Sequence, residues 1–313
     1  MMNVFLVCLN ALLPLFIIMI CGTLLRQGKL LKEKDVNQIN GVCFRCFLPL
    51  MLFYSIYSSD INTALNIGLI CYSVVATLAV TGLCVLLIPR MEKNRECQSV
   101  MIQGIFRSNF ALVGIPMAAE LVKGADLAPA AMLIAVMIPL YNFLAVLILE
   151  AYAGEKFSFR HFALDIIKNP LIIASLLGIL FLLLGIRLPG VIEKAAGDMS
   201  KIASPLSMLL LGASFRTDNL RPFAKELFIV SVGRLLLVPG AVLAIAYFIG
   251  FRGVEFAALI AMFAASTSAS SFPMAQQLGG DSRLAGNIVI CTSFLCPFTV
   301  YLWSVLYMNL GAF

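Results

Sequence analysis

The stretch IPMAAELVKGADLA at residues 115–128 returns as FPMAQQLGGDSRLA at residues 272–285, an offset of 157. Pro116 falls on Pro273, Met117 on Met274, Ala118 on Ala275 and Leu121 on Leu278. Earlier in the two halves the offset is 156, with Pro14 on Pro170, Gly22 on Gly178 and Pro49 on Pro205. One unit is written twice. A repeated unit in an apolar chain is the pattern of secondary transporters, whose site lies where the copies meet.

The chain has 313 residues, 61% of them hydrophobic and only 12% charged, with a mean hydropathy of +1.00. A soluble domain carries about 25% charged residues. The stretch 65–88 has no charge at all, and about 20 apolar residues span a bilayer as a helix. The pattern predicts an all-α membrane protein with ten spans, near 4–25, 36–57, 65–88, 98–122, 127–152, 165–184, 195–214, 224–249, 255–278 and 284–308. Five fall in each half, so the units are residues 1–152 and 153–313, joined by the polar segment 153–161. The first span is read as a permanent span rather than a leader. Its basic residues follow it, it is long for a signal core, and it matches the sixth span.

Charge gives the orientation. The loops after spans 1, 3, 5, 7 and 9 hold Arg26, Lys29, Lys32, Lys34, Arg90, Lys93, Arg95, Lys156, Arg160, Lys168, Arg216, Arg221, Lys225 and Arg283. The opposite loops hold only Lys123, Arg187, Lys194 and Arg252. The basic set is expected in the cytoplasm, with both termini outside and Cys97 on the cytoplasmic side. Five spans per unit is an odd number, so the second copy must be inserted upside down. The net charge of +6 is this topology signal. Scattered over short loops, it forms no stripe for nucleic acid.

Nine cysteines raise a redox or metal reading. All but Cys97 fall inside predicted spans. Cys43 and Cys46 form a CxxC, a spacing that on a helix places both on one face. Zinc would need two further soft ligands, and the one histidine, His161, is in a loop. Small packing residues are the better account, and no cofactor is expected.

Spans 4 and 9 carry the chemistry. Span 4 reads GIFRSNFALVGIPMAAEL from Gly104, and span 9 reads AASTSASSFPMAQQLGG from Ala264. Each has a proline near its middle, which removes a backbone donor. Ahead of Pro116 sit Ser108, Asn109 and Gly114; ahead of Pro273 sit Ser266, Thr267, Ser268, Ser270 and Ser271. Non-helical backbone at membrane depth is tolerated only where protein buries it or a cavity is lined by it. Broken helices also aim partly positive N-termini at the gap. Two breaks at matched positions therefore predict an anion site. The plainer alternative is a pair of proline kinks with serines bonded back to carbonyls. Asn142, near Pro139 in span 5, is placed beside the same cavity.

Intramembrane charges are costly and usually functional. Arg107 sits two residues before Asn109 and is assigned to the substrate, the alternative being a side chain that reaches a vestibule or the headgroups. Arg45, in span 2, is read as pairing with a backbone carbonyl or lining a vestibule. Arg234, two or three turns from the cytoplasmic end of span 8, is read as snorkelling. No Asp or Glu lies at mid-membrane, which argues against an acidic proton relay and a cationic substrate. Sodium held by neutral oxygens stays open.

These residues bring a family into view. The segment SNFALVGIP at 108–116 resembles the NxxxxGIP stretch of span 4 in the auxin efflux carrier family. So do LLPLFIIMICGTLLRQGKL at 12–30, DVNQINGVCFRCFLPLMLF at 35–53 and AQQLGGD at 275–281. The likeness spans the whole chain and is closest to the prokaryotic branch, which includes malate and malonate permeases. It implies the crossover fold shared with bile-acid/sodium symporters. Spans 1, 2, 6 and 7 would then form a scaffold, and spans 3–5 and 8–10 a moving core. It implies that Asn109 contacts substrate and that a homodimer forms through the scaffold. Where relatives carry prolines at the crossing, this chain has Ser108, Ser266 and Thr267.

The reading is a carrier, not an enzyme, for a small mono- or dicarboxylate, working by alternating access between broken spans 4 and 9. The expected substrate site is Asn109, Arg107, Ser108, Gly114, Pro116, Ser266, Thr267, Ser268, Ser270 and Asn142. A sodium-coupled symporter of the bile-acid type and a membrane sensor that binds without moving its ligand remain the alternatives. The coupling ion, sodium or proton, is open. An intramembrane enzyme fits poorly, because no span has a histidine, an HExxH or a buried acid pair.

Overall fold

The structure, a computed structural model, describes residues 2–58, 66–122, 124, 127–153, 168–215 and 221–313. Among these the chain is helical throughout and has no strand. The helices are α1 (Met2–Gln27), α2 (Glu33–Tyr57), α3 (Ile67–Met91), α4 (Arg95–Phe106), α5 (Phe110–Leu121) and α6 (Ala128–Tyr152). They continue as α7 (Pro170–Leu183), α8 (Gly190–Ser200), α9 (Ala203–Ser214), α10 (Arg221–Ile249), α11 (Gly253–Phe263), α12 (Ser271–Gln277) and α13 (Ser282–Asn309). Among the described residues six helices are long and apolar enough to cross a membrane: α1 from Val4, α2, α3, α6, α10 and α13. Two shorter apolar helices are α7 and α11. His161 and the loop bases Lys123, Lys156, Arg160 and Arg216 lie outside the described residues.

The starts of these helices follow local chemistry. Asn66, Asn94, Asn169 and Asp281 each accept a first-turn N–H of α3, α4, α7 and α13, at 2.9–3.0 Å. Such caps satisfy donors that have no partner inside the helix. The outward faces carry Ile17, Leu24, Leu86, Leu183, Phe228 and Phe248, all exposed. A surface this apolar suits lipid rather than water.

Glycines set the closest helix approaches. On α1, a Cβ at Gly22 would lie 2.0 Å from the Leu209 carbonyl oxygen of α9, and one at Gly212 of α9 would lie 1.9 Å from Met19 O. On α7, a Cβ at Gly178 would meet Phe53 O of α2 at 3.0 Å. Only a residue without a side chain lets the backbones meet this way. Thus α1 packs on α9, α2 packs on α7 and α8, and α3 packs on α4 and α6. Further along, α10 packs on α11, and α12 on α13.

Three local readings change. Helix α4 ends at Phe106 and α5 begins at Phe110, while α11 ends at Phe263 and α12 begins at Ser271. The chain leaves the helix at the polar residues, several positions ahead of the prolines. Pro273 is the third residue of α12, where an N–H has no helical partner anyway, so it interrupts nothing. Pro116 lies well inside α5. The stretch around Cys43 is also not a regular helical face, because Cys43–Phe47 forms a π turn within α2. Cys97 is not in a loop. It is buried in the first turns of α4, 3.9 Å from Asp281 Oδ2.

Candidate functional site

The two non-helical segments, 107–109 and 264–270, cross one another. Ser108 and Thr267 form an isolated antiparallel bridge, and the Asn109 N–H donates to Ser266 O at 2.8 Å. The hydroxyls act reciprocally. Ser108 Oγ donates to Met262 O in the last turn of α11 at 2.6 Å, and Thr267 Oγ1 donates to Gly104 O in the last turn of α4 at 2.7 Å. Each crossing residue thus caps the C-terminal carbonyls of the opposite helix, which no helical N–H can reach. Thr292 of α13 supports the arrangement, its Oγ1 accepting from Thr267 N at 3.2 Å.

A cavity of about 360 Å³ opens beside the crossing, within the range of about 300–1,000 Å³ typical of small-molecule sites. Arg107, Ser108, Asn109, Asn142, Ser268 and Ser270 line it. Met51 and Ser55 of α2, Ile134, Ile138 and Tyr141 of α6, and Ser204 of α9 complete the wall. Among the described residues no Asp or Glu is in this lining.

Arg107 is 2% exposed. One of its Nη atoms donates to Ser270 Oγ at 2.7 Å and to Asn142 Oδ1, and the other lies against Met274 Sδ. The reach to headgroups is therefore excluded; the guanidinium sits at the cavity wall. Asn142 is turned toward it by donating to Ile138 O at 2.8 Å. Asn109 is the N-cap residue of α5 and is 5% exposed. Its Nδ2 is a buried donor with no hydrogen-bond partner among the described residues. Such a group costs about 1–3 kcal/mol and calls for an explanation. Ser268 and Ser270 pair through their hydroxyls at 3.0 Å.

The sequence-based set divides. Arg107, Ser108, Asn109, Asn142, Ser268 and Ser270 meet at the cavity. Ser266 and Thr267 are wholly buried in the crossing itself, where they hold the backbone. Gly114 and Pro116 lie further along α5, and Pro116 is exposed. The N-terminal charge is also less symmetric than two matched breaks imply. Helix α5 has 12 residues, whereas α12 has seven and offers little aligned dipole.

Arg234 is not a snorkelling residue. It is 0% exposed, and among the described residues its hydrogen bonds all go to backbone carbonyls at the crossing. Nε donates to Ala265 O at 2.8 Å, Nη2 to Met262 O at 3.1 Å, and Nη1 to Ile105 O at 3.2 Å and Phe106 O at 3.3 Å. Arg45 has the opposite fate, lying exposed on the π turn of α2 and in neither cavity lining. Cys43 is buried against Ser207 Oγ and Ala203 O. The wall residues Met51, Ser55 and Ser204, from α2 and α9, carried no signal in the sequence.

A second cavity, about 210 Å³, is lined in part by Phe272 and Gln276 of α12. Arg26, Glu33, Asn37, Gln276, Arg283 and Asn287 are among its lining. At its edge Gln276 is held by α2: Nε2 donates to Asn37 Oδ1 at 2.5 Å, and Oε1 accepts from Asn40 Nδ2.

Comparison with known proteins agrees with this architecture. Residues 7–304 match the family model described as membrane transport protein. An uncharacterized transporter of Methanothermobacter thermautotrophicus is 24% identical over 296 residues, covering 94% of this chain and 96% of that protein. A multi-pass helical chain matched from end to end in this way belongs to the membrane transport protein family, the auxin efflux carrier family that its sequence resembles.

Proposed function

We propose that this membrane transporter carries a small organic anion, a mono- or dicarboxylate, at the crossing of 107–109 with 264–270. The observation that carries the proposal is Asn109 Nδ2, without a partner among the described residues, at a cavity that also holds Arg107 and has no acidic lining residue among them. A carboxylate accepts from an amide N–H and from a guanidinium fork. The N-terminus of α5 adds about half a positive charge. Arg107 and that terminus together present about 1.5 charges to the cavity, which favours a dicarboxylate.

Two cavities lined from one short stretch of chain support alternating access. Ser268 and Ser270 face the first cavity, and Phe272 and Gln276 line the second. All four residues fall within 268–276 of the chain. The second cavity contains Arg26 and Arg283, so by the basic-loop rule it faces the cytoplasm. The larger cavity then opens outward, and the contacts of Gln276 with Asn37 and Asn40 close the inner side. Ten crossings in two inverted sets of five account for the arrangement. Gly22 and Gly178, one repeat apart, both sit at packed helix pairs, α1 with α9 and α7 with α2. The scaffold of α1, α2 and α7–α9 would stay fixed while the rest moves, in the cytoplasmic membrane and with both termini outside.

The test is thermal unfolding of purified protein against matched mono- and dicarboxylates, followed by uptake into proteoliposomes. Stabilisation by carboxylates with time-dependent accumulation is the expected result. Binding without accumulation would make the protein a receptor, and no response to any carboxylate would overturn the anion site.

A further inference from the structure

Arg234 and its π turn take no part in the anion site. The turn Gly233–Leu237 widens α10 by one residue, a device that re-aims a side chain and recurs at functional positions. Gly233 lets the turn approach α4, since a Cβ there would lie 3.2 Å from Ile105 Cδ1. The guanidinium is thereby carried into the crossing on the side of the two helix C-termini. Its four carbonyl partners come from both elements, Ile105 and Phe106 from the end of α4, and Met262 and Ala265 from the end of α11 and the segment after it. Among the described residues no buried carboxylate pairs with it. Its balance comes from two helix C-termini, each equivalent to about −0.5 charge.

Carbonyls of unwound backbone and the C-terminal ends of half-helices are the oxygens that coordinate sodium in ion-coupled carriers. Here the same oxygens are donated to by a planar, permanently charged fork with fixed geometry. A sodium ion would have to displace that fork and leave an uncompensated charge in its place. We infer that Arg234 is the built-in cation of this crossing. It holds the two helix ends together as a bound sodium ion would, so the site takes its anion without sodium. The anion half of this statement rests on the carrier reading above; the assignment of Arg234 does not.

The experiment compares purified protein in sodium, potassium and choline chloride at equal ionic strength, with and without a matched mono- and dicarboxylate. The wild type should melt at the same temperature in all three salts, and carboxylate affinity should differ by less than about twofold between them. Arg234→Ala should melt at lower temperature and gain a stabilisation by sodium that the wild type lacks. Arg234→Lys, which keeps a charge but cannot span four carbonyls, should fall between and remain indifferent to sodium. A saturable, sodium-specific stabilisation of the wild type would overturn the inference, and so would an Arg234→Ala protein as stable as the parent. If Arg234→Ala cannot be purified, the wild-type comparison and Arg234→Lys decide. A wild type that responds to carboxylate only in sodium overturns this inference and leaves the anion site standing. Indifference to every carboxylate in every salt removes the anion site and leaves Arg234 as the cation.

Discussion

Asn109 and Arg107 differ in how their polar groups are satisfied, and that difference separates binding from structure. Asn109 Nδ2 is buried without a partner among the described residues, so removing it relieves an unsatisfied donor. Asn109→Ala should therefore leave the melting temperature within a degree or two of the parent while weakening carboxylate binding by about tenfold or more, since a hydrogen bond to a charged group is worth about 1.5–3 kcal/mol. An asparagine with a purely structural role would behave the other way, with lower melting and unchanged affinity. Arg107 is partly committed to Asn142 and Ser270, so its loss disturbs both packing and binding. The informative readout is the contrast between ligands. Arg107→Lys should weaken a dicarboxylate by about tenfold and Arg107→Gln by about a hundredfold, with smaller losses for the monocarboxylate, because a buried charge pair is worth about 2–5 kcal/mol and lysine lacks the fork. Equal binding by both variants would return Arg107 to a structural role. Both residues were legible in the sequence as polar groups beside a predicted break. Asn142 and Ser270 were in the sequence-based set too; their pairing with Arg107 was not legible, since they lie 35 and 163 positions away in the chain.

Helix contacts decide whether the crossing has a fixed frame. The α1 and α9 backbones touch through Gly22 and Gly212, and any Cβ at Gly212 would overlap Met19 O. Gly212→Ala should lower the melting temperature by several degrees, as overpacking typically costs about 1–3 kcal/mol. Unchanged melting would mean the pair separates without penalty. The crossing itself is held by the reciprocal hydroxyls of Ser108 and Thr267. Proline was the louder signal in the sequence, yet the chain departs from the helix at serine, threonine and asparagine. Pro273 occupies a first-turn position where its missing donor is irrelevant. A break needs partners for the carbonyls it frees, and only the polar residues supply them.

At the scale of the whole molecule, the proposed orientation rests on the fourteen basic loop residues and the placement of Arg26 and Arg283 at the smaller cavity. Cys97 is a poor reporter because it is buried under Asp281. Lys93, exposed between α3 and α4, is a better one. In a background with Cys21 and Cys71 replaced, Lys93→Cys should react with a membrane-impermeant thiol reagent in inside-out vesicles and not in intact cells. Labelling from outside the cell would invert the topology and exchange the inward and outward cavities.

The sequence by itself determined the helical class, the membrane, the polar residues of spans 4 and 9, and the family, because each depends on residue type and local period. The tertiary structure alone decided what those segments do. Arg234 reads in the sequence as one more arginine near a span end, and nothing local distinguishes it from the exposed Arg45. Its role is set by a π turn that aims it and by carbonyls from residues 28 to 129 positions distant. Ser55 and Ser204 join the cavity for the same reason, since α2 packs on α6 and α9 packs on α2. A charge or hydroxyl in a membrane is satisfied by whatever polar group the fold delivers to it, and that delivery is a property of helix packing rather than of neighbours in the chain.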